Sequence, residues 1–401
     1  MTLAPADSQT PRFSAAATWA IRLVMGILLI AALLGAQYFI AERINDYVAR
    51  IILLVGMNII LAVSLNLING ITGQFSLGHA GFMAVGAYVS GVVSFYIGPR
   101  LGLPDPLLLT LAIAAGALAA AFAGWLVGLP SLRLRGDYLA IVTLGFAEII
   151  RVVITTIEEV GAARGFNGLP VLVNFAWIYG AVFLCILVAR NLASSKIGRE
   201  MRAVRDDEVA AEAIGINTTR VKVVAFVFSS LLAGVAGALQ AHFNGSAHPD
   251  SFGFLRSVEI VVMVVLGGLG SISGAAIAAI ILTLLENVLR SVNGVFMVAV
   301  LLIVFAVIVT FPKHKPAMQK NLLSAWRWLL GPVLFGIVLA AGYFQGYSWL
   351  SSNISSMRYV IYASILIILM LLRPQGLLGR SELALPRLRR FRNETAAEPV
   401  L

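Results

Sequence analysis

Long apolar runs, each closed by a charge or a turn residue, recur along nearly the whole chain. Runs of roughly 20 apolar residues predict helices that cross a bilayer. About eleven are predicted, near Trp19–Ile40, Tyr47–Ile68, Phe75–Ile97, Leu107–Leu129, Leu139–Ile157, Val171–Ala189, Val221–Ala241, Val258–Leu289, Val295–Phe311, Leu329–Tyr347 and Met357–Leu372. The first is too long for the apolar core of a signal peptide and no clear cleavage site follows at Gln37–Glu42, so it reads as a retained helix. Small residues four apart, Gly116, Ala120, Gly124 and Gly128 in one run and Ser229, Ala233, Gly237 and Ala241 in another, predict close helix packing.

Two segments break the pattern. Val258–Leu289 is interrupted by VVLGGLGSISGA, Val264–Ala275, where clustered glycines let the backbone turn sharply. It predicts a re-entrant or broken pair of half-helices, with Gly267, Gly268, Gly270 and Ser271 as candidates for lining a path. A glycine-rich packing contact is the other reading. The polar stretch Gly198–Ile216 predicts one short surface helix stopped at Gly215, with Met201, Val204, Ala211 and Ile214 as a thin apolar strip. Around the strip stand Arg199, Arg202, Arg205, Asp206, Asp207, Glu208 and Glu212. A helix this short is marginal in water, so something outside the bilayer is expected to pack on it.

Composition sharpens the picture. The 401 residues are 60% hydrophobic and 12% charged, which fits a polytopic membrane protein and not a soluble domain. The single cysteine, Cys185, excludes a disulfide scaffold. A net charge of +10 follows from basic residues gathered in cytoplasmic loops and, without an aromatic-interleaved basic patch, does not point to nucleic acid. Arg190, Lys196, Arg199, Arg202, Arg205, Arg220 and Lys222 place the connection that holds Gly198–Ile216 on the cytoplasmic side. Counting outwards puts Glu158 and Glu159 outside, Arg133 and Arg135 inside, and both termini inside. The inside loop with Lys313, Lys315, Lys320 and Arg327 fits only if Val258–Leu289 crosses an even number of times or not at all.

Candidate chemistry is sparse. Glu148 and Arg151, three apart, either neutralise each other or face a path and meet a zwitterion. Gln74, Ser76 and His79, at the cytoplasmic start of the third run, are candidates for a gate, a helix cap or a bond to a neighbour. His242 and His248, expected in an outer loop, are too isolated for a metal site. There is no GxxxxGK[ST] phosphate loop and no HExxH motif, so no cofactor or metal is expected and any ATP must be bound elsewhere.

The segment GREMRAVRDDEVAAEAIGI, Gly198–Ile216, resembles the cytoplasmic coupling loop of ABC importer permeases. TGQFSLGHAGF (Thr72–Phe82), LRLRGDYLAIVTLGFAEIIR (Leu132–Arg151), GGLGS (Gly267–Ser271) and LLRPQGLLG (Leu371–Gly379) together resemble the branched-chain amino acid permease family, M-type subunit. The likeness runs from about Asn58 to Leu289 and resumes at the last run. Where the family commonly has a GGPNG-like turn this chain reads GAARGFNG, Gly161–Gly168.

The resemblance implies an all-α fold: a polytopic transmembrane helical bundle with a glycine-broken re-entrant segment and a cytoplasmic coupling helix. The expected layout is a tail at 1–18, a permease domain at 19–379 with its coupling loop at 190–220 and an insertion at about 291–350, and a basic tail at 380–401. It also implies a multi-pass protein of the bacterial cytoplasmic membrane. Implied partners are a second, H-type permease, two ABC ATPase subunits and an extracytoplasmic binding protein that delivers a branched-chain or other hydrophobic amino acid. Gly198, Arg199, Arg202, Arg205, Asp206, Asp207, Glu208, Ala211, Glu212 and Gly215 would then meet the ATPase. Permeases for urea or short amides share the motifs and remain open alternatives. From other classes, an ion-coupled transporter would use Glu148, with Glu259 and Glu286 beside the broken stretch, and a membrane enzyme lacks a recognisable motif.

Overall fold

A computed structural model describes residues 31, 33–40, 42–131, 137–290, 376, 377 and 379. The first long helix, α1 (Asp46–Asn66), begins at Asn45, whose Oδ1 accepts the Tyr47 N–H at 3.0 Å, and widens at its end into a π-helical turn, Leu67–Ile71. Every residue from Val55 to Ile71 is buried. A helix apolar all round has no face to spare for lipid and becomes the centre of a bundle.

Around α1 lie α2 (His79–Val92), α3 (Asp105–Ser131), α4 (Asp137–Thr156), α5 (Phe175–Ser194), the short helices α6 (Lys196–Asp206) and α7 (Glu208–Ala213), α8 (Thr218–Asn244), α9 (Phe254–Gly267) and α10 (Ile272–Arg290). Among the described residues six helices are long and apolar enough to cross a membrane, at Asp46–Ile71, His79–Arg100, Asp105–Leu129, Tyr138–Thr156, Phe175–Ser194 and Thr218–Asn244. Each coincides with an expected run. The run expected from Phe75 starts at His79, because Thr72–Gly78 is held as a loop, and the run expected from Val171 starts at Phe175, capped by Asn174 Oδ1 on the Trp177 N–H. His242 is not in an outer loop as expected: it lies inside α8, buried, with Nδ1 2.9 Å from the Ala238 carbonyl. The runs at Val295–Phe311, Leu329–Tyr347 and Met357–Leu372, most of Trp19–Ile40, Arg133 and Arg135, and both tails lie outside the described residues.

Helices α2, α3 and α8 meet backbone to backbone. A Cβ added at Gly86 would strike the Gly234 backbone, one at Gly237 the Met83 carbonyl, one at Gly116 the Gly86 carbonyl and one at Gly124 the Ser230 side chain. The small-residue stripes are therefore packing surfaces. With lipid no less apolar than leucine, such close approach is what holds these helices together.

The stretch Val258–Leu289 is broken as expected. Helix α9 ends at Gly267, the chain turns through Gly268 and Gly270 at φ +109° and +92°, and the Ser271 Oγ accepts the Gly274 N–H at 3.0 Å as α10 begins. Such backbone angles suit glycine alone. Helix α10 then runs antiparallel to α1: the break touches Asn66, Thr283 bonds Asn58, and the Tyr47 hydroxyl donates to the Asn287 carbonyl at 3.4 Å. The stretch thus returns to the side from which it came, which fits an even number of crossings or none.

At the opposite end a two-residue antiparallel ladder, β1 (Phe166–Asn167) with β2 (Ser246–Ala247), ties the α4–α5 loop to the end of α8. The Tyr88 hydroxyl of α2 donates to the Ala247 carbonyl at 2.9 Å.

Candidate functional site

The polar connection between α5 and α8 forms two helices, which corrects the single helix expected over Gly198–Ile216. Its start lies before Gly198, at Lys196, where Ser195 Oγ accepts the Gly198 N–H at 3.2 Å. The division falls at Asp207, whose backbone is extended and whose Oδ1 accepts the N–H groups of Val209 and Ala210 at 2.9 and 3.0 Å. An aspartate that caps the next helix so well competes with continuing the previous one. Gly215, at φ +87°, ends the segment as expected.

The apolar strip is divided too. Met201, Val204 and Ala211 are buried against this chain, whereas Ile214 is 75% exposed and Val209 62% exposed. Glu208 and Glu212, expected to face a partner, brace the segment internally: Lys222, only 3% exposed, reaches Glu208 Oε1 at 2.7 Å, and the Thr218 hydroxyl donates to Glu212 Oε1 at 2.7 Å. Arg202 donates to the Ala193 carbonyl at 2.9 Å and Arg199 to the Ser194 carbonyl at 3.2 Å, closing the end of α5.

Arg205 points the other way, into the bundle. Its Nη1 donates to the Gly70 carbonyl in the π turn at 3.2 Å, while Nε and Nη2 share Asp206 Oδ1 at 3.2 Å. Beside it the Gly270 N–H donates to Asn66 Oδ1 at 2.9 Å, and a Cβ on Gly70 would collide with Gly270. The α6–α7 segment, the π-helical end of α1 and the α9–α10 break therefore share one junction. Leu377, from the last of the resembling motifs, closes it from beyond the break, its N–H donating to the Leu266 carbonyl at 2.9 Å.

The loop that carries Gln74 and Ser76 is fastened to the same end of α1. Asn69 receives the Ser76 N–H on Oδ1 at 3.1 Å and donates Nδ2 to the Ser76 carbonyl at 3.3 Å. The Leu77 N–H donates to Thr143 of α4 at 3.1 Å, the Gln74 N–H to the Ile68 carbonyl at 3.0 Å, and the Ala80 N–H to Ser257 of α9 at 3.2 Å. His79 is buried with Nε2 2.7 Å from the Ser64 hydroxyl, which itself donates to the Leu61 carbonyl at 2.8 Å. Asn66 Nδ2, Ser76 Oγ and His79 Nδ1 are buried and make no hydrogen bond among the described residues.

Glu148 and Arg151 stand apart from this junction. They pair at 2.7 Å, and Arg151 also lies 3.7 Å from Asp250 in the loop after α8. Sequence reasoning missed a second polar cluster, in which Arg256 holds Glu259 at 3.0 Å and Asn58 at 2.6 Å, and Asn58 donates to Thr283 at 2.7 Å. Asparagines inside an apolar run, Asn58, Asn66 and Asn69, were the available signal. At the far end from the α6–α7 segment an open cleft of about 320 Å³ is lined by Asp46, Ala49, Arg50, Leu53, Phe243 and Asn244. The Arg50 guanidinium lies 5.8 Å over the Phe243 ring, and neither Asp46 nor Arg50 makes an ion pair among the described residues. No group of three His, Cys, Asp or Glu side chains among the described residues is placed to hold a metal ion.

The chain is 35% identical over 270 residues to the high-affinity branched-chain amino acid transport system permease protein LivM of Salmonella typhimurium, covering 59% of this chain and 62% of that protein. The LivM protein of Escherichia coli matches to the same extent. The LivH permease protein of Escherichia coli is 27% identical over 286 residues, covering 65% of this chain and 92% of that one. The match spans less than two thirds of the length of the LivM relatives. No solved structure matched the chain. The profile of one family, described as branched-chain amino acid transport system / permease component, matches residues 47–312, more than half of the chain and all of the junction except Leu377, and the chain belongs to that family.

Proposed function

We propose that the chain is the M-type membrane subunit of an ATP-driven importer, forming part of the path for branched-chain or other hydrophobic amino acids. The observation that carries this reading is the braced α6–α7 segment, which presents Val209 and Ile214 to water at the coupling end of the bundle. Exposed apolar side chains on a capped and ion-paired scaffold are the makings of a docking surface. The sequence holds no phosphate loop, so the motor is separate. The partners are an H-type permease, two ABC ATPase subunits and an extracytoplasmic binding protein. The complex sits in a bacterial cytoplasmic membrane with both termini of this chain inside. Movement of the docked segment would reopen the bundle on the opposite side.

The pairing of Glu148 with Arg151 weighs against an ion-coupled transporter built on that carboxylate.

The test is reconstitution with these partners and measurement of labelled leucine uptake. ATP-dependent uptake is expected, and Val209→Asp with Ile214→Asp should remove the ATPase subunits from the purified complex without preventing insertion. Full ATPase retention and uptake in that variant, or uptake that ignores ATP and collapses with an ion gradient, would overturn the assignment.

A further inference from the structure

We infer that Arg205 is a positioning residue that transmits displacement of the α6–α7 segment to the α9–α10 break, through the π-helical end of α1. The inference rests on the importer reading, in which that segment is the part a motor moves.

The contacts leave no slack. Arg205 lies on the last turn of α6, a helix anchored by buried Met201 and Val204. Its side chain is 18% exposed and passes between two glycines. A Cβ on Gly73 would overlap the Arg205 Cγ, and a Cβ on Gly270 would lie 3.1 Å from Arg205 Nη1. The guanidinium holds the Gly70 carbonyl at 3.2 Å, and Gly70 in turn lies so close to Gly270 that not even a methyl group fits between them. Beyond Gly270, Gly376 rests on the Gly268 backbone.

From coupling helix to break, then, the chain of contacts is a guanidinium and two glycine backbones, Gly70 and Gly270. Flexible side chains absorb displacement by changing rotamer, but close-packed backbone passes it on. Asp206 Oδ1 fixes the fork from behind by accepting both Nε and Nη2. A lysine reproduces the charge and one donor but not this forked geometry. The π turn gives the push somewhere to act, because its wide hydrogen-bond pattern already departs from the regular helix at Leu67–Ile71.

A purely static role makes a different prediction. A guanidinium at the carbonyl end of a helix also stabilises that end. Its loss would then lower stability and leave nucleotide-driven motion unchanged.

The experiment uses the complete complex with all partner subunits in nanodiscs, with Cys185→Ser and a reporter at exposed Leu269→Cys beside the break. Maleimide labelling is timed without nucleotide and with ATP trapped by vanadate. With Arg205 intact, the rate should differ between the two states by about five-fold or more, the lower end of ordinary coupling. Arg205→Ala should reduce that difference below about two-fold and abolish uptake while the ATPase subunits stay bound and hydrolyse ATP, with Arg205→Lys intermediate.

A full nucleotide response in Arg205→Ala would overturn the inference, and so would loss of the ATPase subunits, which would make Arg205 a docking residue. If Arg205→Ala does not accumulate, Asp206→Asn carries the same readout, because it frees the fork without removing it. A reporter indifferent to nucleotide in a complex that still imports would sink the inference and spare the importer reading. Absence of ATP-dependent uptake with Arg205 intact would sink the importer reading itself.

Discussion

Gly268 and Gly270 are the residues on which the shape of the broken segment depends most directly. At φ +109° and +92° an L side chain is strained, and at Gly270 it would also press on Arg205. Gly270→Ala is expected to cost about 1–2 kcal/mol from backbone strain before that contact is counted. Gly145→Ala, in the middle of α4 with nothing within 4 Å, should be neutral or stabilising by about 0.5–1 kcal/mol. Thermal unfolding of the two detergent-solubilised variants compares them, and equal melting would refute the distinction. The Glu208–Lys222 pair is asymmetric in burial, so its halves should not be equivalent. Glu208→Gln leaves a buried ammonium without its carboxylate and should destabilise by about 2–3 kcal/mol, more than Lys222→Met, which takes the buried charge away. A double-mutant cycle read by protease resistance checks the order. At this scale the sequence was readable where partners are close along the chain: Glu148 and Arg151, three apart, are bonded at 2.7 Å. It was opaque for Asn66 and Asn69, because the backbone groups they hold belong to Gly270 and Ser76, and a one-dimensional pattern does not say which distant turn will arrive.

Elements were legible to the extent that lipid dictates them. The six long helices fall on apolar runs because a bilayer demands uninterrupted apolar length and internally satisfied backbone. The short helices obey local competition instead. Asp207 was read as one charge among several, yet its side chain takes two N–H groups and divides the segment. Asp207→Ala should weaken α7 by about 1 kcal/mol, seen as faster hydrogen exchange at Glu208–Ala213 with the six long helices unchanged. Unchanged exchange would mean that the Lys222 and Thr218 bonds alone hold the helix. The stripes at Gly116 and Ser229 were visible as small residues four apart, but Gly234 lies one position off the second stripe and Gly86 belongs to neither. Both matter because α2 and α8 touch at that level.

For the whole molecule, the junction of Arg205 with Gly70 and Gly270 puts the broken segment's turn at the same end as the α6–α7 segment. In a Cys185→Ser background, Leu269→Cys and Ile214→Cys should react with an impermeant maleimide from one face of the membrane and Val171→Cys from the other. Reaction of Leu269→Cys from the Val171 face would contradict this arrangement. Charge counting had required the broken stretch to cross an even number of times or not at all, and its return to the side of Tyr47 agrees. That much of the topology was available from arginines and lysines alone. Which residues meet at the inner end was not, because that depends on distant helices docking against one another.

The backbone contact among α2, α3 and α8 has a mechanical corollary. Where Gly86, Gly116, Gly234 and Gly237 leave no side chain between neighbouring main chains, there is no lubricating layer, and the three helices behave as a welded pillar. Any breathing of the bundle must then be taken up by its thinner walls. Spin labels placed across α2 and α8 should keep one narrow distance distribution under conditions that broaden or shift the distance from α4 to α10.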